Sequence, residues 1–183
     1  MEMFGVTLHR IQAVRSFGNV KEGDLGGFVE KEENISENLK AWVCGDAKVY
    51  GNAKVYGNAI VCDNANVSGD AEVYGNAKVY GNAKVYGNAK VLGNAKVYGN
   101  AKVYGNAKVY GNAKVYGNAD YIVFKNWWSS GRYFTWTRSN NMWSVGCFYG
   151  TGEELIKKAY QDSEKSGREY ERVVRFVESI LED

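Results

Sequence analysis

The chain has 183 residues, 45% hydrophobic and 24% charged, with a formal net charge of +2, a length that suits one domain or one repeat array with small appendages. No apolar run approaches the ~20 residues that a bilayer-spanning helix needs, and the opening MEMFGVTLHR lacks the basic and apolar regions of a signal peptide. Three cysteines, one histidine and no proline argue against a secreted disulfide framework and against a multi-histidine site within one chain, so a cytoplasmic setting without cofactor is expected.

Residues 1–40 carry an alternating stretch, Val6, Leu8, Arg10 and Ile11, then the turn Gly23-Asp24-Leu25-Gly26-Gly27-Phe28. Ile35, Leu39 and Ala41 lead into a repeat array that opens at Val43. This segment reads as a strand or hairpin forming an N-terminal β cap.

From Val43 to Asp120 the chain is thirteen hexads in unbroken register, most reading V-Y-G-N-A-K. Valine holds every first position and alanine every fifth, Asn or Asp every fourth, and Gly every third except Asp63. A fixed period of this kind marks a solenoid. In A-K-V-Y, alternation turns Ala and Val inward and Lys and Tyr outward. Gly-Asn then supplies a corner that tolerates positive φ. Three hexads close one coil of 18 residues, so residues 41–120 make about four coils of a three-sided β-solenoid.

Residues 121–183 begin with three β-rich, aromatic runs, YIVFKNWW, RYFTWTR and MWSVGCFY, separated by SSG and SNN. They predict a three-stranded meander. Thr151-Gly152-Glu153-Glu154 is a capping box that opens a helix through about Lys165. Ser166-Gly167 breaks it, and a second helix runs from about Arg168 to Leu181 with Tyr170, Val173, Val174, Val177 and Leu181 on one face. The expected fold is therefore mainly β: an N-terminal cap, a solenoid, and a C-terminal β-β-β-α-α module.

The hexads resemble those of the left-handed parallel β-helix family, and that resemblance implies left-handed coiling. The flanks are similar to those of phage- and prophage-encoded hexapeptide-repeat proteins. The similarity lies in Arg10-Ile11, Phe17-Gly18 and Gly23 to Glu30, and later in Gly146-Cys147-Phe148, Gly150-Thr151 and Glu153-Glu154. The resemblance implies action inside a bacterial host cell. One form is inhibition of a host defence nuclease complex, in the manner of an anti-CRISPR protein.

Hexapeptide acyltransferases share this repeat, with a histidine base at a subunit groove and loops that interrupt the coils. Here no loop interrupts the register, and His9 lies outside the coils. The sequence thus favours a non-catalytic protein. The alternatives are an acyltransferase with an intersubunit site and a structural virion or assembly protein. Cys44 and Cys62, 18 residues apart, read as reduced thiols in one surface row, and Cys147 as a buried small residue.

On the solenoid exterior, Trp42, Cys44, Ile60 and Cys62 form an apolar patch within otherwise Lys-Tyr rows. It offers a second interface unless the N-terminal segment covers it. Net charge is −2 over 1–40, +4 over 41–120 and zero over 121–183. Four charges spread over three faces make a weak field, so direct nucleic-acid binding is the lesser reading. The main partner-binding set is Trp127, Trp128, Arg132, Tyr133, Trp136, Arg138 and Trp143, types enriched at interface hot spots. A bacterial host protein, alone or complexed with nucleic acid, is the expected partner. The tyrosine rows and the trimers of related enzymes suggest a homo-oligomer.

Overall fold

The computed structural model describes residues 1–3, 5–36 and 40–181; Leu39 lies outside them. Residues 41–117 wind as a three-sided parallel β-solenoid whose strands are two residues long, such as Lys84–Val85 and Lys102–Val103. Strands 18 residues apart pair in parallel, Lys84 opposite Lys102 and Val85 opposite Val103. The thirteen hexad valines are essentially free of solvent exposure, as are the alanines from Ala47 to Ala113. Alternation about each valine thus produces the core directly. Ala119 departs from the pattern. It is exposed within a 3-10 turn, Asn118–Asp120, where the chain leaves the solenoid.

Between coils the ladder bonds share one polarity. Lys84 N–H donates to the Ala101 carbonyl at 2.9 Å and Tyr86 N–H to that of Val103 at 3.0 Å, each one coil further on. At the corners, Asn58, Asn76, Asn94 and Asn112 form an amide ladder with spacings of 3.0, 3.1 and 3.3 Å. Asp63, the corner without glycine, takes the same left-handed backbone at φ 60°. Asp is among the few side chains that tolerate this, and its carboxylate accepts the Gly81 N–H at 2.9 Å.

The solenoid has about five coils rather than four, because the first lies inside the segment expected to be only a cap. Strand Leu25–Val29 pairs in parallel with Lys48–Val49, and Ile35 bridges Val55. Trp42–Val43 closes the third side against Ile60–Val61. Register on the first two sides is offset by 20 residues, and on the third by 18. The hexad signature is therefore absent although its apolar positions persist. Buried Asn34 organises this coil. Its amide donates to the carbonyls of Gly51 (3.1 Å) and Ala53 (2.8 Å), and its oxygen accepts from Glu30 and Lys31 N–H. Strand His9–Gln12 then covers Leu25–Val29 antiparallel.

Ladder polarity leaves unpaired N–H donors at the C-terminal end, and side-chain oxygens meet one on each face. Lys102 N–H donates to Asn118 Oδ1 (3.1 Å), Lys108 N–H to Thr135 Oγ1 (2.9 Å) and Lys114 N–H to Ser139 Oγ (2.6 Å). Open sheet edges invite further strand addition, and these bonds close them. Tyr121 adds a hydroxyl to the Lys102 carbonyl at 2.8 Å, and burial pushes its phenol up to about 12.

The C-terminal sheet has four antiparallel strands, Tyr121–Lys125, Tyr133–Thr137, Met142–Val145 and Phe148–Gly150, in sequential order. The predicted third strand is a hairpin, turned at Gly146 with φ 55°. Helices α1 (Gly152–Asp162) and α2 (Glu164–Ser179) complete the module. The capping box forms as expected, Thr151 N–H donating to Glu154 Oε2 at 2.8 Å. The break falls at Ser163, whose hydroxyl accepts the Ser166 N–H at 3.1 Å. Gly167 lies inside α2, where a Cβ would overlap the Tyr160 ring. That glycine serves helix contact rather than helix termination.

Removing Val79–Lys96 joins Lys78 to Val97, and Lys78 and Lys96 are register partners. We expect a soluble protein one coil shorter, with the same far-ultraviolet circular dichroism shape and cooperative unfolding. Insoluble or unfolded product would contradict the one-coil unit.

Candidate functional site

The C-terminal module separates the predicted partner-binding residues into two groups. Trp136, Trp143 and Trp128 are 1%, 2% and 8% exposed and pack with Phe134, Leu155, Tyr170 and Val174 between sheet and helices. Trp128 meets Tyr170 edge-on, with ring centroids 4.9 Å apart. Trp136 Nε1 donates to Asn141 Oδ1 at 2.8 Å. These three are core, a correction to their assignment as contact residues: two helices laid on a four-stranded sheet bury more aromatic area than the expected smaller meander. Trp127 is 72% exposed in the turn after the first strand, and Arg132, Tyr133 and Arg138 are also exposed. Lys125 Nζ sits 5.8 Å from the Tyr133 ring centroid, within cation–π range.

The second predicted interface is partly covered. Trp42 and Ile60 are half-buried, and Phe17 from the N-terminal segment lies edge-on to Trp42 at 5.7 Å. A cleft of about 610 Å³ remains at this end, lined by Ile11, Phe17, Ile35 and Trp42 among others. Cys44 and Cys62 are joined in a disulfide, Cα atoms 4.5 Å apart, and not a row of reduced thiols. The register that sets Trp42 opposite Ile60 also sets these cysteines side by side. Cys147 is exposed in the hairpin turn, not buried.

One solenoid face carries a charged cluster absent from the other rows. Glu72 receives Lys90 Nζ at 3.0 Å and the Tyr56 hydroxyl at 3.0 Å. Tyr56 stacks on Tyr74 with centroids 4.7 Å apart. Burial first, and then the Glu72 carboxylate, raise the Tyr56 phenol well above its ordinary value. The cluster therefore joins a neutral phenol, a carboxyl group and a paired lysine, which is a structural arrangement. His9 is exposed on the outer N-terminal strand. Among the described residues, no three His, Cys, Asp or Glu side chains gather as metal ligands. None of the described helices is long and apolar enough to cross a membrane.

The family described as YdcK β-solenoid repeat matches residues 47–63, about one coil of the array. The chain is a β-solenoid repeat protein. No curated protein matches it.

Sequence patterns alone did not disclose the residues that fasten this β-solenoid repeat protein to its C-terminal module. Besides Thr135 and Ser139, Lys108 Nζ donates to the Gly146 carbonyl at 2.9 Å. The signal available was indirect. A parallel array must end in unpaired donors, so hydroxyl and amide residues just beyond the hexads are natural capping candidates.

Proposed function

We propose that this is a non-catalytic binding protein, its solenoid a rigid spacer and its C-terminal module the contact surface. The observation that carries the reading is Trp127, a large ring left mostly in solvent on a module whose other tryptophans are buried. Exposed aromatic and arginine residues are the types that dominate interface energetics, and Arg132, Tyr133 and Arg138 lie in the same module. The likeness of the flanks to phage and prophage hexapeptide proteins supports a bacterial host protein as partner, and inhibition of a defence nuclease complex as one form of action.

The test is affinity capture from nuclease-treated bacterial lysate with the full chain and with a Trp127→Ala variant. Truncation at residue 120 is unsuitable, because it strips Thr135 and Ser139 from the last coil. We expect a stoichiometric protein that is captured by the full chain and lost with Trp127→Ala. Capture of nothing, or equal capture by both, would contradict the reading.

A further inference from the structure

Where the solenoid meets the meander, two adjoining clefts of about 600 and 490 Å³ share Asn106 and Tyr133. Their common wall is fixed by the bond from Lys108 N–H to Thr135 Oγ1, which holds strand Tyr133–Thr137 against the last coil. Among the described residues, no acidic side chain lines either cleft. Lys90 is neutralised by Glu72. Lys108 Nζ, however, bonds only a carbonyl, and Arg132 has no carboxylate partner among the described residues. Lys125 stands beside Tyr133, adding a third cation. Tyr104 and Tyr133, 49% and 42% exposed, line the same groove, Tyr104 stacked on Tyr86 on one side with ring centroids 5.3 Å apart, and Asn106 lies between the clefts.

We propose that this groove binds a single-stranded nucleic-acid segment. Its bases lie against Tyr104 and Tyr133, and its phosphates face Arg132, Lys108 and Lys125. Stacking platforms interleaved with cations are the recurrent means of holding single strands, because every base presents a ring face. An acidic peptide would engage the cations and leave the rings and the amide without a role. Charge spread over the whole solenoid is too dilute to select a strand. The groove gathers Lys108 and Arg132 in its wall, with Lys125 beside Tyr133 at its margin. The inference goes beyond the protein-binding reading and stands or falls separately from it.

The test is fluorescence anisotropy of the full chain with a labelled short oligothymidylate at about 50 mM salt, where phosphate contacts are strong. We expect saturable binding that weakens about tenfold with Tyr133→Ala, as loss of one stacked base predicts. Tyr133→Phe, which keeps the ring, retains binding. For three phosphate contacts the log–log salt slope is about −2, and Arg132→Gln reduces its magnitude by about 0.7. Lys78→Gln, exposed on the third face of the solenoid, leaves affinity unchanged. Three results would overturn the proposal: no saturation, equal weakening by Lys78→Gln, or displacement of the strand by poly-glutamate at equal charge concentration. The last would point to an acidic peptide instead.

Discussion

Trp136→Ala is expected to destabilise the C-terminal module by about 3–5 kcal/mol, the range for truncating a fully buried aromatic side chain. Its ring is 1% exposed among Phe134, Trp143 and the helices, and its indole N–H satisfies Asn141 Oδ1 at 2.8 Å. Asn141 sits at φ 49°, in the turn joining the second and third strands, so truncation also releases a contact that holds that turn. Trp127→Ala, by contrast, removes a ring standing in solvent, and its effect is expected within about 0.5 kcal/mol. Urea denaturation followed by near-ultraviolet circular dichroism separates the two. Equal stability of both variants would show that the module is not built around Trp136. The pair also protects the capture experiment, since loss of partner with an equally stable Trp127→Ala variant cannot be ascribed to unfolding.

The second large effect concerns a corner. Gly57 has φ 75°, and a Cβ placed there would lie 2.9 Å from Gly75 N and 3.0 Å from its carbonyl oxygen in the next coil. Gly105 has nearly the same backbone, φ 65°, but it belongs to the last coil and a Cβ would meet nothing within 4 Å. Gly105→Ala therefore carries only the left-handed penalty, roughly 1–2 kcal/mol. Gly57→Ala adds overpacking against backbone that cannot move aside without opening the ladder, a further ~1–3 kcal/mol. Thermal or urea unfolding of the two variants measures the difference. Indistinguishable midpoints would mean that the corners are not tightly stacked.

Legibility in the sequence tracked the repeat. Inward Val and Ala and the corner at Gly-Asn are each stated thirteen times over or nearly so, the 18-residue coil follows from three such hexads, and each appears in the structure. The first coil was hidden because Val29 and Ile35 occupy its inward register without the neighbouring Gly-Asn, and because buried Asn34 organises that coil through bonds that leave no local pattern. The split of the third meander strand turned on a single residue, Gly146, which reads equally well as a strand glycine.

The candidate site was less legible than the fold. Composition placed Trp127, Trp128, Trp136 and Trp143 in one class, since burial of a tryptophan depends on which sheet face its strand register selects or, in a turn, on which way the chain points it. Trp127 and Trp128 are adjacent, yet one is in solvent and the other is in the core. The groove around Asn106 and Tyr133 joins residues from two modules, and no linear spacing anticipates it.

Three hexads to a coil make the array a device with two separate settings. Adding or removing 18 residues changes the distance between the terminal elements by one strand spacing, ~4.8 Å, and keeps their relative orientation. A change of six residues also keeps every Val and Ala inward, but it turns the C-terminal module a third of a revolution about the long axis relative to the N-terminal strands. Because the hexads are nearly interchangeable, both length and azimuth can vary without altering any residue that contacts a partner. Variants of this protein that differ by multiples of six will therefore present one unchanged surface from a small set of discrete directions.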